Sequence, residues 1–216
     1  MDLSPKTAFI LASSGDIYGL SFNRGQPLGE DELLVPANPY SAAKAAADLA
    51  VGEMSLRGLQ AIRLRLFNHT GARQSARFAL PNFARQVTSI AASRVEPVIT
   101  TGNLDRWRDV LDVKDVISAY LATLEWNGPF DGRIFNVCSG TSRHMRAVLE
   151  DMIDRAGIRA QIVEQPMHRG TQDVPFSSGT PELFANTFGW SPRVAWSRTI
   201  EDLLAYWRRR ADQMLQ

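Results

Sequence analysis

Residues 38–67 read NPYSAAKAAADLAVGEMSLRGLQAIRLRLF, and this stretch decides the fold class. Asn38 suits the N-cap of a helix and Pro39 its first position, and the alanine-rich residues 40–54 that follow have high helix propensity. Across residues 61–67, apolar side chains alternate with arginines, which predicts a strand. A helix followed directly by a strand forms the second part of a strand–helix–strand unit.

The first strand of that unit is predicted upstream, in the continuous apolar run of residues 8–12. Such a run is typical of a strand buried on both faces, as in a parallel sheet, and a short buried helix is the alternative. Strand, helix and strand in this order predict a parallel crossover. The polar residues 19–36, which include Gly25, Pro27 and Gly29, predict a loop before the helix.

The alternation of strands and helices continues downstream of residue 67. Apolar spacing indicates the elements, and Gly157 is a favourable C-cap for one of the helices. The predicted helices cover residues 78–93, 113–126, 143–156 and 199–213, and the predicted strands cover residues 98–101, 133–138 and 161–164. The fold class is therefore α/β.

Composition narrows the functional classes. Hydrophobic residues make up 44% of the 216 residues, as in an ordinary globular protein, and a net charge of +1 provides no overall field for nucleic acid or an acidic membrane. The longest uncharged run has 11 residues, too few for a membrane span. Residues 1–6 lack the pattern of a signal peptide and Cys138 is the only cysteine, so we expect a cytoplasmic protein without an internal disulfide. The three histidines lack metal-ligand spacing, so no metal site is expected.

Tyr40 and Lys44 are the first candidates for chemistry, because residues four apart share one face of a helix. A phenol exchanges its proton poorly at neutral pH, but a neighbouring ammonium favours the phenolate form, so Lys44 could activate Tyr40. At the carboxyl end of the first strand, Ser14 offers a hydroxyl and Asp16 a carboxylate. A solvated helix face and ordinary turn chemistry are the alternative interpretations.

Four separated motifs resemble those of the extended short-chain dehydrogenase/reductases, the family of NAD-dependent epimerases and dehydratases that act on nucleotide sugars. They are SSGDIYG at 13–19, NPYSAAK at 38–44, RLFNHTG at 65–71 and RDVLDVKDV at 108–116. The resemblance implies the C-terminal half of a Rossmann-type, doubly wound parallel sheet plus a small α/β substrate-binding domain. Residues 1–71 and about 110–140 would form the Rossmann-type part, and about 72–109 and 141–216 the nucleotide-sugar-binding part.

The resemblance also implies roles for individual side chains. Ser14 would polarise the sugar carbonyl, Tyr40 would deliver a proton to its oxygen, and Lys44 would assist Tyr40 and touch the nicotinamide ribose. Asp16 stands where relatives commonly carry a glutamate and is a fourth catalytic candidate. The implied cofactor-binding residues are Ser13, Tyr40, Lys44 and Phe67, and the implied substrate-binding residues are Asn68, His69, Arg85, Arg108 and Arg169.

Within the family, NHTG at 68–71 followed by LPNFARQ at 80–86 is most similar to the GDP-4-keto-6-deoxymannose reductases. The implied activity is reduction of the 4-keto group with NADPH or NADH, and a GDP-mannose 4,6-dehydratase and a sugar epimerase are the alternatives. The implied partners are a GDP-linked sugar nucleotide and a second copy of the chain, because the helix that bears Tyr40 often forms dimers in this family.

The Gly-rich strand–loop–helix that holds the pyrophosphate of NAD(P) has no counterpart in this sequence, so the resemblance begins at the family's fifth strand. We expect the first strand to lack a neighbour and to expose apolar side chains, which favours low stability or self-association. The missing half could belong to a longer form of the same protein, or a complementing N-terminal chain could supply the cofactor site. A non-catalytic remnant that binds only a sugar nucleotide or a partner chain is the alternative to an enzyme.

Overall fold

The computed structural model describes residues 7–165 and 174–213, and within them the predicted α/β alternation is present. The strands are β1 (Phe9–Ser14), β2 (Ala61–Leu66), β3 (Asn68–Thr70), β4 (Val98–Thr101), β5 (Trp107–Asp112), β6 (Asp131–Val137), β7 (Ser142–His144), β8 (Gln161–Glu164) and β9 (Phe176–Ser177). The helices are α1 (Pro39–Leu56), α2 (Ala79–Ala91), α3 (Val113–Glu125), α4 (Met145–Ala156), α5 (Glu182–Phe188) and α6 (Trp196–Gln213).

The strands form three sheets that match the predicted parallel crossover. The first is parallel, with the order β1-β2-β6, and it places Ser13 beside Arg65 and Leu64 beside Phe135. The second pairs β3 parallel and β7 antiparallel with β5, and β9 also pairs with β5. The third joins β4 and β8 in parallel. The chain therefore belongs to the Rossmann-like α/β architecture that the resemblance implies.

Helix α1 begins where the sequence predicts it. The Asn38 side chain accepts a hydrogen bond from the Ser41 backbone at 2.9 Å, and the Ser41 hydroxyl accepts one from the Asn38 backbone at 3.1 Å. This reciprocal cap satisfies two backbone donors at the helix start, and Pro39 at the first position needs no donor. The cap fixes the point at which Tyr40 enters the first turn.

The prediction that the first strand is buried on both faces is wrong. Only Ser13 and Ser14 of β1 are buried, and Phe9 is 39% exposed. Within residues 7–165 and 174–213, β1 pairs with β2 alone, so its outer edge has no neighbouring strand.

Several elements were not predicted. The predicted loop at 19–36 contains a 3-10 helix at Leu20–Arg24, and β3, β5, β7, β9 and α5 have no counterpart among the predicted elements. Strand β5 escaped prediction because two of its buried residues, Asp109 and Asp112, are charged. Asp109 accepts hydrogen bonds from the Ser139 and Gly140 backbones at 2.8 and 2.9 Å, and these distant partners make its burial tolerable.

Three apolar clusters flank the cleft that contains the candidate site. One packs β2 and β6 against α3 and α5, and another packs α2, α4 and α6 together with Ile99 of β4. The third, around Tyr18, Phe22 and Phe67, includes Cys138, which is buried as a packed thiol should be. In the described part of the chain, no helix has the length and apolarity needed to cross a membrane.

Candidate active site

The carboxyl ends of β1 and β2 and the start of α1 surround a cavity of about 570 Å³. Parallel sheets place their ligand crevice at this edge. The cavity brings together most of the site residues that the sequence singles out. Its lining includes Ser13, Ser14, Asp16, Tyr40, Lys44, Phe67, Asn68 and His69.

Ser14 ends β1 and begins the turn that follows it. Its hydroxyl oxygen accepts a hydrogen bond from the Asp16 backbone at 3.1 Å, which leaves the hydroxyl hydrogen available to a ligand oxygen. The Asp16 side chain lies at the cavity rim. Partial desolvation by the surrounding protein raises the pKa of Asp16 above its ordinary value, and the positive charge of Arg108 opposes that rise.

Tyr40 and Lys44 enter the cavity from successive turns of α1. Tyr40 is 56% exposed, so its ring is accessible to a ligand. The Lys44 ammonium donates to the Ala12 carbonyl at 2.8 Å, which holds it beside the strand that carries Ser14. A hydroxyl, a phenol and an ammonium therefore line one cavity, which can protonate and polarise a carbonyl oxygen.

Ser13 and Phe67 form the inner wall. The Ser13 hydroxyl donates to Asp48 at 2.6 Å, so its hydrogen is directed into the protein rather than toward a ligand. Phe67 is buried, and its ring packs at a tilt against Tyr18 and edge-to-face against Phe22. A side chain at Gly15 would approach the Phe67 ring to 2.9 Å, so glycine is required for this close packing.

The cleft continues past Asn68 into two further cavities of about 380 and 210 Å³. Asn68 lines all three cavities, and Arg108 lines the second and third. The Arg108 guanidinium donates to the Trp107 carbonyl at 2.9 Å. His69 lines the first two cavities, with Nδ1 3.1 Å from the Phe67 carbonyl.

The second cavity contains polar residues that sequence reasoning missed, namely Gln74, Asn103 and Arg106. Arg106 stands two positions before Arg108, and side chains two apart along an extended chain point to the same side. Arg106 lies one position before β5, so only a predicted strand extended to residue 106 would have placed both arginines on one wall. Two guanidinium groups make this cavity suitable for phosphate oxygens.

Of the predicted substrate-binding residues that the structure describes, Arg85 is not brought to this cleft. Arg85 lies on the exposed side of α2, where it donates to Asn82 at 2.9 Å, and it lines none of the three cavities. Leu80 and Pro81 of the same helix line the second cavity instead. Arg169 lies outside the described residues. In the part of the chain that the structure describes, no cluster of acidic, histidine or cysteine side chains could hold a metal ion.

The chain is similar to known proteins in sequence and in fold. The chain is 30% identical over 203 residues to the GDP-6-deoxy-D-mannose reductase of Pseudomonas aeruginosa. The aligned region covers 94% of this chain and 66% of that protein. The structure of RMD from Pseudomonas aeruginosa complexed with NADPH superposes with a TM-score of 0.86 at 30% identity, covering 94% of this chain and 67% of that one. A putative epimerase from Burkholderia cenocepacia superposes with a TM-score of 0.79 at 32% identity, covering 94% and 63%.

The chain thus spans about two thirds of the length of these relatives. The family model described as GDP-mannose 4,6 dehydratase matches residues 1–203, which is nearly the whole chain. The match includes every motif that carries the resemblance, and the first cavity collects the side chains of three of them. The chain therefore belongs to the GDP-mannose 4,6-dehydratase family.

Proposed function

We propose that this chain carries the reducing site of an NAD(P)H-dependent reductase that acts on the 4-keto group of GDP-4-keto-6-deoxymannose. The observation that carries the proposal is the convergence of Ser14, Tyr40 and Lys44 on one cavity. The 30% identity to a GDP-6-deoxy-D-mannose reductase supports the choice of substrate. The chain spans 66% of that relative, and we extend the proposal to the activity of the whole protein.

The chemistry requires a hydride at the carbonyl carbon and a proton at its oxygen. When bound, NADPH or NADH supplies the hydride and becomes oxidised. The Tyr40 hydroxyl delivers the proton to the carbonyl oxygen, the Ser14 hydroxyl donates a hydrogen bond to the same oxygen, and the Lys44 ammonium stabilises the negative charge left on Tyr40. Asp16, at the rim, is placed to bind a sugar hydroxyl.

The sugar nucleotide is proposed to occupy the cleft beyond Asn68. Arg106 and Arg108 would bind the diphosphate, because guanidinium groups form paired hydrogen bonds with phosphate oxygens. Asn68 and His69 lie between this region and the first cavity, where the sugar would face Tyr40. Arg85 and Arg169 remain predictions as substrate-binding residues.

The residues of the first cavity fit the nicotinamide end of the cofactor. Lys44 is placed to bind ribose hydroxyls, and Phe67 supplies an aromatic wall. The sequence contains no Gly-rich loop for the pyrophosphate, so a complementing N-terminal chain is proposed to complete the site, and a second copy is proposed only as a dimer partner. We also propose that residues 1–71 and about 110–140 form the Rossmann-type part, and that residues about 72–109 and 141–216 form the nucleotide-sugar-binding part. The proposed location is the cytoplasm.

A binding module without catalysis is the second candidate. The observation that favours it is the open outer edge of β1, which has only one neighbouring strand among the described residues. Such a chain would bind a sugar nucleotide in the Arg106–Arg108 region but would not bind the cofactor. A 4,6-dehydratase or an epimerase would instead use the same Tyr40 and Lys44 on a different sugar.

The test is a titration of the 216-residue chain with NADPH, followed by quenching of its five tryptophans, together with turnover of GDP-4-keto-6-deoxymannose. Because this chain holds only the nicotinamide end of the cofactor, we expect weak but saturable binding and slow NADPH oxidation, both strengthened by a complementing N-terminal chain, and loss of turnover in Tyr40→Phe and Ser14→Ala. Tyr120→Phe is the matched control, because Tyr120 lies on α3 and packs in the cluster behind the sheet. Binding of GDP-mannose without any NADPH binding by the folded chain would support the binding module and contradict the reductase.

A further inference from the structure

A buried ionic network lies behind the first cavity, centred on Asp48 of α1. Asp48 is fully buried, and its carboxylate accepts hydrogen bonds from the Ser13 hydroxyl at 2.6 Å and from Arg65 Nη2 at 3.1 Å. Arg63 Nη1 is a further donor, at 3.0 Å. The network therefore joins α1 to the ends of β1 and β2.

The two faces of β2 differ in a way that stability alone does not explain. Ile62 and Leu64 face the apolar cluster with α3, whereas Arg63 and Arg65 face α1. An ion pair taken out of water loses in solvation much of what it gains in attraction, so an apolar packing would serve stability at least as well. A network of fixed hydrogen-bond lengths does, however, set the position of the groups it joins.

The position of Asp48 on its helix connects the network to the site. Tyr40, Lys44 and Asp48 are spaced by four, so they lie along one face of α1. Lys44 donates to the Ala12 carbonyl and Asp48 accepts from the Ser13 hydroxyl. Successive turns of α1 are thus bonded to the two residues of β1 that immediately precede Ser14.

The other side of the network holds the turn that follows Ser14. Arg65 Nη1 donates to the Tyr18 hydroxyl and to the Glu30 carbonyl, each at 2.9 Å, and Tyr18 donates to Asn136 at 2.8 Å. Tyr18 is the last residue of the 3-10 turn that begins after Ser14. Burial raises the pKa of Tyr18 to about 12, so its hydroxyl keeps the proton that it donates. The backbone is therefore anchored on both sides of Ser14.

We propose that Asp48 is a positioning residue that fixes α1 against the end of β1, so that Tyr40 and Lys44 face Ser14 in a constant arrangement. Asp48 lines none of the three cavities and would act through Ser13 and Arg65. This inference rests on the proposed function, in which Ser14, Tyr40 and Lys44 act on one carbonyl.

The first test needs no substrate. The chain has four tyrosines, and their 13Cζ signals in a labelled sample can be assigned by single Tyr→Phe variants. In Asp48→Asn, which keeps the side-chain shape but removes the charge, we expect the signals of both Tyr18 and Tyr40 to shift, and those of Tyr120 and Tyr206 to stay. A Tyr18 shift with an unchanged Tyr40 signal would overturn the proposal, because the network would then be only structural.

Ser13→Ala serves where Asp48→Asn does not fold, since it removes the Ser13–Asp48 bond and leaves Asp48 paired with Arg63 and Arg65. The Tyr40 signal is again expected to shift, and its constancy would overturn the proposal. Asp115→Asn is the matched control. Asp115 is also a buried helical carboxylate, and it accepts from the Arg193 and Val194 backbones on the far side of the sheet.

The second test separates binding from turnover. In Asp48→Asn we expect kcat to fall about tenfold or more while KM for the sugar nucleotide changes by less than about twofold, because misplacement of reacting groups costs rate rather than binding. Asp115→Asn should keep both constants, and equal losses in the two variants would overturn the proposal. Absence of turnover in the unaltered chain would count against the proposed function alone, because the tyrosine spectra would still decide the role of Asp48.

Discussion

At the scale of single residues, the charge at the cavity rim depends on one acid and one base. Asp16 and Arg108 both line the cavity of about 210 Å³. Desolvation raises the pKa of Asp16 by more than the positive charge of Arg108 lowers it. Because the folded state binds this proton more tightly than the unfolded state, the contribution of Asp16 to stability is present at acid pH. It is lost as the pH rises through its folded pKa.

Replacing Arg108 should therefore change how Asp16 titrates. In Arg108→Gln the opposing charge is removed, and we expect the pKa of Asp16 to rise further, as measured by NMR titration of its side-chain carboxyl carbon. Arg85→Gln is the control, because Arg85 lies on the exposed side of α2. An Asp16 titration curve unaffected by Arg108→Gln would show that the two charges do not interact across the cavity.

Gly19 provides a second residue-scale prediction, because it follows the turn that carries Asp16. Its φ is +51°, and a side chain there would approach the Val35 carbonyl to 1.9 Å. We expect Gly19→Ala to lower the free energy of unfolding by at least about 2 kcal/mol in urea denaturation.

Gly25 is the matched control, with φ of +69° and no atom within 4 Å of an added side chain. Gly25→Ala should cost only the backbone strain of about 1 kcal/mol. Equal losses in the two variants would mean that contact with Val35 is not what requires glycine at position 19.

At the scale of elements, helix α1 is the part whose position matters most for the site. It places Tyr40, Lys44 and Asp48 on one face. Its one unfavourable residue for a helix, Gly52, is explained by packing, since a side chain there would approach Arg63 Nη1 to 2.6 Å. Glycine at position 52 lowers helix propensity but leaves room for the Arg63 guanidinium beside the helix.

The start of α1 can be tested through its cap. Asn38→Ala removes the acceptor for the Ser41 backbone and should cost about 1 kcal/mol of stability, and kcat should fall because Tyr40 lies in the frayed first turn. Asn38→Asp, which keeps the acceptor, should retain both stability and activity. Loss of stability in both variants would contradict a role for the cap itself.

At the scale of the whole molecule, the outer edge of β1 is the open side of the sheet. Phe9 is 39% exposed there, and β1 has no second neighbouring strand among residues 7–165 and 174–213. Unpaired strand edges with apolar side chains pair readily with other chains. The edge is thus a candidate site for self-association or for a complementing chain.

We expect Phe9→Lys to lower the weight-average mass in sedimentation equilibrium at concentrations where the unaltered chain associates. Leu124→Lys is the matched control, since Leu124 is 62% exposed on α3, which packs against β3 and β5. If both variants associate like the unaltered chain, the β1 edge is not the contact surface.

The sequence by itself determined the elements that depend on local signals. The boundaries of β4 and β8 agree with the prediction, α1 starts at its predicted cap, and Gly157 adopts the left-handed conformation that ends α4. These features follow from side-chain periodicity and caps within a few residues. The four-residue spacing that places Tyr40 and Lys44 on one face of α1 is also a local signal of this type.

The tertiary structure alone decided the features that depend on residues distant in sequence. Ser13 and Asp48 are 35 positions apart, and the partners of Asp109 lie 30 and 31 positions away, so no local pattern reveals that these acids are buried and satisfied. The exposure of β1, the presence of Arg106 in the cleft and the place of Arg85 outside it also depend on which elements pack together. The physical reason is that burial is a property of the assembled layers, whereas caps and periodicity are properties of the local chain.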